Sequence, residues 1–329
     1  MRYLLVATLL LGSLAACGGS AGQSDEVTEI RLALDWYPWS NHTGIYLAEA
    51  NGYFADEGLE VNVYVPSDPS TGIQLVGSGQ DDFTISYQTD VLLARAEGVE
   101  VTSVAALVQH PLNSIMTLKA SGIEHPSQLS GKTIGAPGLP SDEPLLRTML
   151  EADGISIDDV EVVTVGFDLV PALLGGTVDA IIGAYWVHES ILAELQGQPV
   201  TIMRIEEWGV PDYYELLLVT HDATIDDRPA VVEKLVRALT KGYADAATDH
   251  TGAVDALVEA NPETNRELET RGMQLLVPLW TDDGAVPFGT QTTERWEAYA
   301  TWLEDEGILT KDVVVEQAFT NTFVERSNR

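Results

Sequence analysis

The residues best suited to hold a small molecule are concentrated in one stretch, residues 34–46, which contains two tryptophans, two tyrosines, an asparagine and a histidine. Aromatic rings with a few hydrogen-bonding groups are what a site needs to hold a flat heterocycle. The stretch follows an alternating strand pattern and precedes a helix pattern. It is therefore predicted to be a loop at the carboxyl end of a strand, where open α/β sheets place their ligands.

Five side chains in this loop are candidate ligand contacts. Trp36, Tyr37 and Trp39 could stack on a ring, although Trp36 could equally point into the core. Asn41 carries both donors and an acceptor, which suits the amide-like edge of a pyrimidine or flavin, but it could also cap the following helix. His42 could contact ligand or satisfy backbone groups.

Further candidates lie after other strands of the chain, because strand ends and helix starts bring polar groups and free N–H groups to one edge of a sheet. These candidates are Tyr87, Gln88, Gly138, Ser141, Trp186, Glu189 and Tyr214. Glu189 could accept hydrogen bonds from ligand, or it could be an exposed acid stabilised by a helix dipole. Gly138 could let backbone approach ligand or form a tight turn. Tyr214, like Tyr213, could line the site or pack at a hinge.

No catalytic arrangement accompanies these candidates, so the chain is not expected to be an enzyme. The GxGxxG, P-loop and GxSxG templates are missing. The six histidines are far apart and show no HxxxH or HExxH spacing, so neither a metal site nor a cofactor is expected. The one cysteine, Cys17, leaves no thiol nucleophile further along the chain.

Strand and helix patterns alternate at the period of a parallel sheet in two successive blocks, followed by a largely helical tail. This predicts an α/β protein with two Rossmann-like lobes and a cleft between them, a preferred place for small-molecule sites. Residues 29–112 and 213–329 are assigned to lobe I, and residues 113–212 to lobe II. The two lobes are expected to close like a hinge around ligand.

Composition excludes two classes of partner. The chain has 17 Lys and Arg against 51 Asp and Glu, which gives a formal net charge of -34. Such a protein repels nucleic acid and anionic membrane surfaces. The acidic residues are dispersed, which is typical of a solvated surface.

The amino end predicts export and anchoring. Residues 1–16 read as a signal peptide whose apolar run is too short to span a bilayer comfortably. Leu14-Ala15-Ala16-Cys17 resembles the bacterial lipobox, which implies lipidation of Cys17. A plain secretory signal is the alternative. Residues 17–28 form a flexible polar tether. The mature chain is thus expected on the extracytoplasmic face of the cell membrane, held by lipid.

Four segments together resemble the substrate-binding proteins of ABC importers, in the branch that captures thiamine pyrimidine precursors and riboflavin. They are residues 32–61, 77–98, 128–140 and 209–218, and Asn41-His42-Thr43-Gly44 is their most specific piece. The resemblance implies the type II periplasmic-binding-protein fold and no chemistry on the ligand. It also implies two partners, a membrane permease and its ATPase.

Riboflavin is the expected ligand, because Tyr37 and Trp39 add two rings where pyrimidine-binding relatives are expected to carry smaller polar residues. The alternative is a thiamine pyrimidine precursor of the formylaminopyrimidine type. A more distant one is an alkanesulfonate or nitrate, which the scarcity of basic residues disfavours. Pyrimidine synthases share the fold and form a rival class of function, but they use a cysteine-rich motif that this chain lacks.

Overall fold

The computed structural model describes residues 27–328, so the predicted signal peptide, Cys17 and almost all of the tether lie outside it. The described residues contain two five-stranded sheets. In chain order the strands are β1 Thr28–Ala33, β2 Leu59–Tyr64, β3 Phe83–Ser86, β4 Val101–Val108, β5 Asn113–Leu118, β6 Thr133–Ala136, β7 Glu161–Thr164, β8 Ala180–Tyr185, β9 Val200–Arg204 and β10 Leu216–His221.

Both sheets have the same arrangement. The first has the order β2-β1-β3-β10-β4 and the second β7-β6-β8-β5-β9. In the first sheet, β1 runs parallel to β2 and β3, whereas β10 is antiparallel to β3 and β4. In the second, β6 runs parallel to β7 and β8, and β5 is antiparallel to β8 and β9. Each sheet therefore borrows its antiparallel strand from a point where the chain crosses between lobes.

Helices cover the sheets and fill most of the carboxyl-terminal third of the chain. They are α1 Thr43–Ala50, α2 Tyr53–Asp56, α3 Gly72–Gly77, α4 Gln88–Ala96, α5 Asp142–Ala152, α6 Leu169–Leu174, α7 Glu189–Leu195, α8 Asp222–Asp227, α9 Pro229–Thr248, α10 His250–Ala260, α11 Arg266–Trp280, α12 Thr293–Asp305 and α13 Thr322–Ser327. Within the described part of the chain, no helix is long and apolar enough to cross a membrane.

The apolar pattern explains these elements. In β1, Ile30 and Leu32 are buried while Arg31 between them is exposed, the alternation of a strand with one covered face. All eight residues of β4 are buried, as expected for a strand covered on both faces. In α9, buried Leu235 and Leu239 belong to a stripe with helical spacing that packs on lobe I.

The chain passes between the sheets through two segments, residues 109–112 and 205–215, and one carboxylate fastens them together. Glu215 Oε2 accepts hydrogen bonds from the backbone N–H of Leu112 at 2.6 Å and of Asn113 at 3.2 Å. It also accepts from the Tyr213 hydroxyl at 3.0 Å. These bonds fix the two crossing segments side by side at the base of the cleft.

The predicted fold class is confirmed: the protein is an α/β chain with two lobes. One sheet takes its strands from residues 28–108 and 216–221, the other from residues 113–204. The helical tail is less continuous than its pattern predicts, because residues 281–292 and 306–321 contain turns and short irregular segments between α11, α12 and α13.

Candidate functional site

A cavity of about 520 Å³, including its mouth, lies between the lobes. Lobe I contributes the loop after β1 and the start of α4, and lobe II contributes the loop after β6 and the end of β8. The residues that line it are Asp35, Trp36, Trp39, Tyr87, Thr89, Asn113, Pro137, Leu139, Ser141, Gly183, Tyr185, His188, Glu189, Tyr213 and Glu215.

The lobe I wall is built around Asp35, which is buried. Its Oδ1 is 2.9 Å from His42 Nε2, and its Oδ2 accepts a hydrogen bond from the Tyr87 hydroxyl at 3.2 Å. His42 and Tyr87 thus hold the carboxylate in one orientation from two sides. Burial, followed by the charge of Asp35, raises the pKa of Tyr87 well above its usual range, so the phenol stays protonated and donates.

The lobe II wall is built around Glu189 at the start of α7. Its Oε2 accepts from the Tyr185 backbone N–H at 2.8 Å, and its Oε1 is 2.9 Å from His188 Nδ1. Burial alone would lower the pKa of His188, but the carboxylates of Glu189 and Glu269 outweigh it and raise that pKa to about 10. His188 is therefore an imidazolium at neutral pH.

The three carboxylates of the cavity differ in the acceptor capacity that they keep. A carboxylate offers about four lone-pair sites. Glu215 receives four hydrogen bonds, three on Oε2 and one on Oε1 from the Tyr185 hydroxyl, so protein takes up most of its acceptor capacity. Asp35 and Glu189 each receive two. These two can therefore accept further hydrogen bonds, one carboxylate from each lobe.

Aromatic rings close the space between these acids. The Trp39 ring of lobe I lies 5.6 Å from the Tyr185 ring of lobe II, and Trp36 lies 4.6 Å from Phe167 at the cavity mouth. Burial raises the pKa of Tyr185 well above its usual range, so its hydroxyl also remains a donor. The cavity combines flat apolar walls with carboxylate acceptors, a combination suited to a planar ligand that donates N–H groups.

The lining residues of the described chain include no lysine or arginine. Arg95 pairs with Asp222 on the far side of lobe I. Arg147 pairs with Glu143 on the surface of α5. The cavity thus has the opposite polarity from an anion site, in which positive charges or clustered N–H donors are needed.

The structure places five of the residues proposed from sequence on the cavity wall and seven elsewhere. Those on the wall are Trp36, Trp39, Tyr87, Ser141 and Glu189. Those elsewhere are Tyr37, Asn41, His42, Gln88, Gly138, Trp186 and Tyr214. Each of the seven has protein partners that explain its position.

Three of the seven are buried behind the cavity wall. Asn41 Oδ1 accepts from the indole of Trp280, and its backbone carbonyl accepts from the Tyr243 hydroxyl at 2.7 Å. His42 is turned toward Asp35 and supports that carboxylate rather than lining the cavity. Gln88 accepts from the backbone N–H of Tyr214 at 2.8 Å, which ties α4 to a crossing segment.

Of the other four, Tyr37, Gly138 and Trp186 lie at the edges of the cavity, and Tyr214 is buried on the side away from it. Tyr37 is 53% exposed and packs on Phe167 at the mouth. Trp186 donates to the Pro111 carbonyl at 3.3 Å and carries the Arg204 guanidinium on its face. Gly138, with φ +93°, donates its N–H to Asp142 and forms a tight turn. Tyr214 faces away and packs on Trp296, because adjacent residues in an extended segment alternate sides.

Several lining residues are absent from the sequence-based set, chiefly Asp35, Asn113, Tyr185, His188 and Glu215. Four of these share a signal that the sequence does contain: they are polar or aromatic residues at the ends of apolar strands. Glu215 directly precedes the apolar run of β10. No sequence signal marks Asn113 as a lining residue, because only the crossing of the chain between lobes brings it to the cavity.

Comparisons with known proteins agree with this architecture. The family described as NMT1/THI5 like matches residues 39–253. A formylaminopyrimidine-binding protein of Halalkalibacterium halodurans is 36% identical over 98% of this chain and 99% of its own length. A 4-amino-5-hydroxymethyl-2-methylpyrimidine phosphate synthase of Saccharomyces cerevisiae is 29% identical over 75% of each chain. Among solved structures, the alkanesulfonate-binding protein of Xanthomonas axonopodis pv. citri is 16% identical with a TM-score of 0.70, covering 90% of this chain and 99% of its own.

The prediction that riboflavin is the ligand is wrong, because these relatives favour the pyrimidine alternative. The relative from Halalkalibacterium halodurans is named for pyrimidine binding and the one from Saccharomyces cerevisiae for pyrimidine synthesis. The structural argument for a larger ring also fails, because it needs both Tyr37 and Trp39 beside the ligand. Trp39 lines the cavity, whereas Tyr37 lies outside it.

Proposed function

The chain belongs to the NMT1/THI5-like family, and we propose that it is the solute-binding protein of an ABC importer for a formylaminopyrimidine-type precursor of the thiamine pyrimidine. The observation that carries the proposal is the pair of carboxylates with spare acceptor capacity, Asp35 and Glu189, on opposite walls of an aromatic cavity. The relatives that bind or make such pyrimidines support the choice of ligand.

The chemistry of an aminopyrimidine matches this cavity. Its ring is flat and can stack on an aromatic wall such as that of Trp39 or Tyr185. Its exocyclic amino group and its amide N–H are donors. Each can donate to a carboxylate, Asp35 or Glu189, that protein hydrogen bonds already hold in place. Hydrogen bonds to an ionised acceptor are about twice as strong as neutral ones. Asp35 and Glu189 thus fix the ring from opposite sides.

The transport role follows from the two-lobed fold together with this cavity. Ligand that bonds Asp35 in lobe I and Glu189 in lobe II favours the closed arrangement of the lobes, since it gains contacts only when both walls are present. The permease and ATPase of the importer would then receive the ligand from this closed form. Lipidation of Cys17 would hold the protein at the extracytoplasmic face of the membrane.

We propose binding without chemistry, in contrast to the synthase relatives. The single cysteine of the chain is Cys17, at the predicted anchor, so no cysteine is available near the cavity. In residues 27–328, no three His, Cys, Asp or Glu side chains are arranged to hold a metal ion. Mass spectrometry of formylaminopyrimidine after prolonged incubation with the protein should return the compound unchanged.

Isothermal titration calorimetry tests the proposal with formylaminopyrimidine, riboflavin and an alkanesulfonate as separate titrants. We expect saturable binding of the pyrimidine with a Kd of about 1 µM or tighter, or roughly -8 kcal/mol, and no heat from the other two. Glu189→Gln should weaken binding by about tenfold or more, because it removes the charged acceptor. Glu151→Gln, the same change on exposed α5, is the matched control. Tight sulfonate binding, or an unaffected Glu189→Gln variant, would refute the proposal.

A further inference from the structure

A row of three charged side chains, Glu189, His188 and Glu269, joins the two lobes. Glu189 and His188 line the cavity, whereas Glu269 does not. His188 of lobe II stands between two carboxylates. Its Nδ1 is 2.9 Å from Glu189 Oε1, and its Nε2 is 3.5 Å from Glu269 Oε1. Glu269 belongs to α11, which packs with the lobe I core through Met273 and Leu276. The imidazolium therefore bridges an acid of each lobe.

Glu269 is held in place by contacts from two sides. It is 2% exposed, and its Oε2 accepts from the backbone N–H of Ser40 at 2.5 Å, in the loop that carries Trp39. It is not among the residues that line the cavity. A buried carboxylate needs a partner, and within the described residues the positive group facing it is His188. Opening of the cleft would remove that partner and leave the acid uncompensated unless water reached it.

The backbone around this contact is close-packed as well. A Cβ on Gly272, one turn after Glu269 on α11, would lie 2.3 Å from Ser40 Oγ and 3.3 Å from the Val187 carbonyl. A glycine is therefore needed where α11 meets both the lobe I loop and the segment that precedes His188. The surface pair Arg271–Glu194 spans the same two helices at 2.8 Å, but both partners are substantially exposed, so it contributes little.

From this arrangement we propose that His188 and Glu269 form an interlobe latch that stabilises the closed form, with Glu269 acting as a positioning residue that never touches ligand. His188 contacts both carboxylates, Glu189 of lobe II and Glu269 of lobe I. It fixes Glu189, the proposed ligand acceptor, and at the same time bonds the opposite lobe. Ligand that engages Glu189 thus finds an acid already oriented by closure. The inference rests on the cavity being the binding site, but not on the identity of the ligand.

The first test is independent of ligand. With Cys17→Ala, the substitutions Ser67→Cys and Asp168→Cys introduce the only two thiols, at exposed positions after edge strands β2 and β7 on opposite lobes. Electron-electron resonance between spin labels at these sites reports the interlobe distance. Glu269→Gln should reduce the population at the short distance, whereas Glu267→Gln, an exposed change on the same helix, should not. Identical distributions for Glu269→Gln and the parent chain would overturn the latch.

The second test uses formylaminopyrimidine and stopped-flow tryptophan fluorescence, since Trp36 and Trp39 line the cavity. Glu269→Gln should raise the dissociation rate by about tenfold and leave the association rate unchanged, because the latch acts only after closure. A loss of folded protein would instead lower the amplitude without changing the rate. His188→Gln combined with Glu269→Gln should be no worse than His188→Gln alone, and additive effects would contradict a direct pair. If the parent chain binds no pyrimidine, the proposed function fails while the distance measurement still decides the latch.

Discussion

Each lobe presents an acid to the cavity and supports it with a histidine, but the two pairs are built differently. In lobe I, His42 and Asp35 belong to the same loop, both are buried, and their 2.9 Å contact lies within one lobe. In lobe II, His188 supports Glu189 at the same distance but also faces Glu269 of the opposite lobe. Both pairs form within one lobe, but the lobe II histidine also contacts a carboxylate of the opposite lobe, and that contact exists only when the lobes are together.

This difference separates two tasks. The Asp35–His42 pair is a fixed part of the lobe I wall, so its loss should damage folding as well as binding. The His188–Glu269 contact depends on closure, so its perturbation should change ligand kinetics more than stability. Variants on each side can therefore break or sharpen the comparison.

The largest expected effect is on stability. His42→Ala removes one of the two side-chain partners of buried Asp35 and leaves unfilled space in the core, which typically costs about 3 kcal/mol. Urea denaturation of the variant should show a correspondingly reduced free energy of unfolding. His250→Ala, at the partly exposed start of α10, should change it by less than about 1 kcal/mol. A loss for His42→Ala no larger than this control would mean that the lobe I pair is not structural.

Asp35→Asn tests the ligand side of the same pair. The amide keeps the shape of the carboxylate but not its charge, so a charge-assisted hydrogen bond to formylaminopyrimidine is lost. We expect a Kd about 10- to 100-fold higher by calorimetry, equivalent to about 1.5–3 kcal/mol. An unchanged Kd would show that Asp35 is a structural acid only, which would leave Glu189 as the acceptor.

The aromatic loop offers a matched pair of variants two residues apart. Trp39→Ala should weaken binding by at least ~1 kcal/mol, because it removes a wall of the cavity. Tyr37→Ala should change it by less than ~0.5 kcal/mol, because that ring lies outside. Calorimetry on both variants measures the contrast. The reverse order would place the ligand at the mouth, beside Phe167.

Asp90 contrasts with Asp35 and Glu189, because no histidine contacts it among the described residues. Within residues 27–328 its Oδ1 has no hydrogen-bond partner. Burial, and then the charge of Asp142, raises the pKa of Asp90 to about 7. Because an unfolded Asp titrates near 3.9, the folded chain binds the extra proton between about pH 4 and pH 7, and stability falls as pH rises through this window.

Asp90→Asn should remove this dependence. The slope of unfolding free energy against pH should become less negative by up to about 1.4 kcal/mol per pH unit, as measured by urea denaturation from pH 5 to pH 8. Asp312→Asn, an exposed change, is the control and should leave the slope as it is. An unaltered slope in Asp90→Asn would mean that Asp90 is ionised throughout.

The sequence was sufficient for the fold and for the region of the site. Alternating strand and helix patterns predict two α/β blocks, and the structure has two matching sheets. The aromatic loop after β1 does supply cavity walls, because strand ends in such sheets converge on one edge. Asp35, Trp39 and Glu189 all lie at such ends.

The sequence did not predict the direction in which individual side chains point. Tyr37 and Trp39 have similar chemistry, and only the path of the loop places one outside and the other inside. The same holds for Tyr213 and Tyr214. Asn41, in the piece most specific to the family, is buried under Trp280, a residue 239 positions away. No local pattern predicts a partner at that separation, and none predicts the pairing of Ser40 with Glu269.

The central claim is that one carboxylate from each lobe receives the N–H groups of an aminopyrimidine. A crystal structure of the mature chain with formylaminopyrimidine tests it most directly. We predict the ring stacked on Trp39 or Tyr185, with ligand nitrogens about 2.7–3.2 Å from carboxylate oxygens of both Asp35 and Glu189. A pyrimidine bound outside this cavity, or one whose nitrogens contact neither acid, would contradict the account.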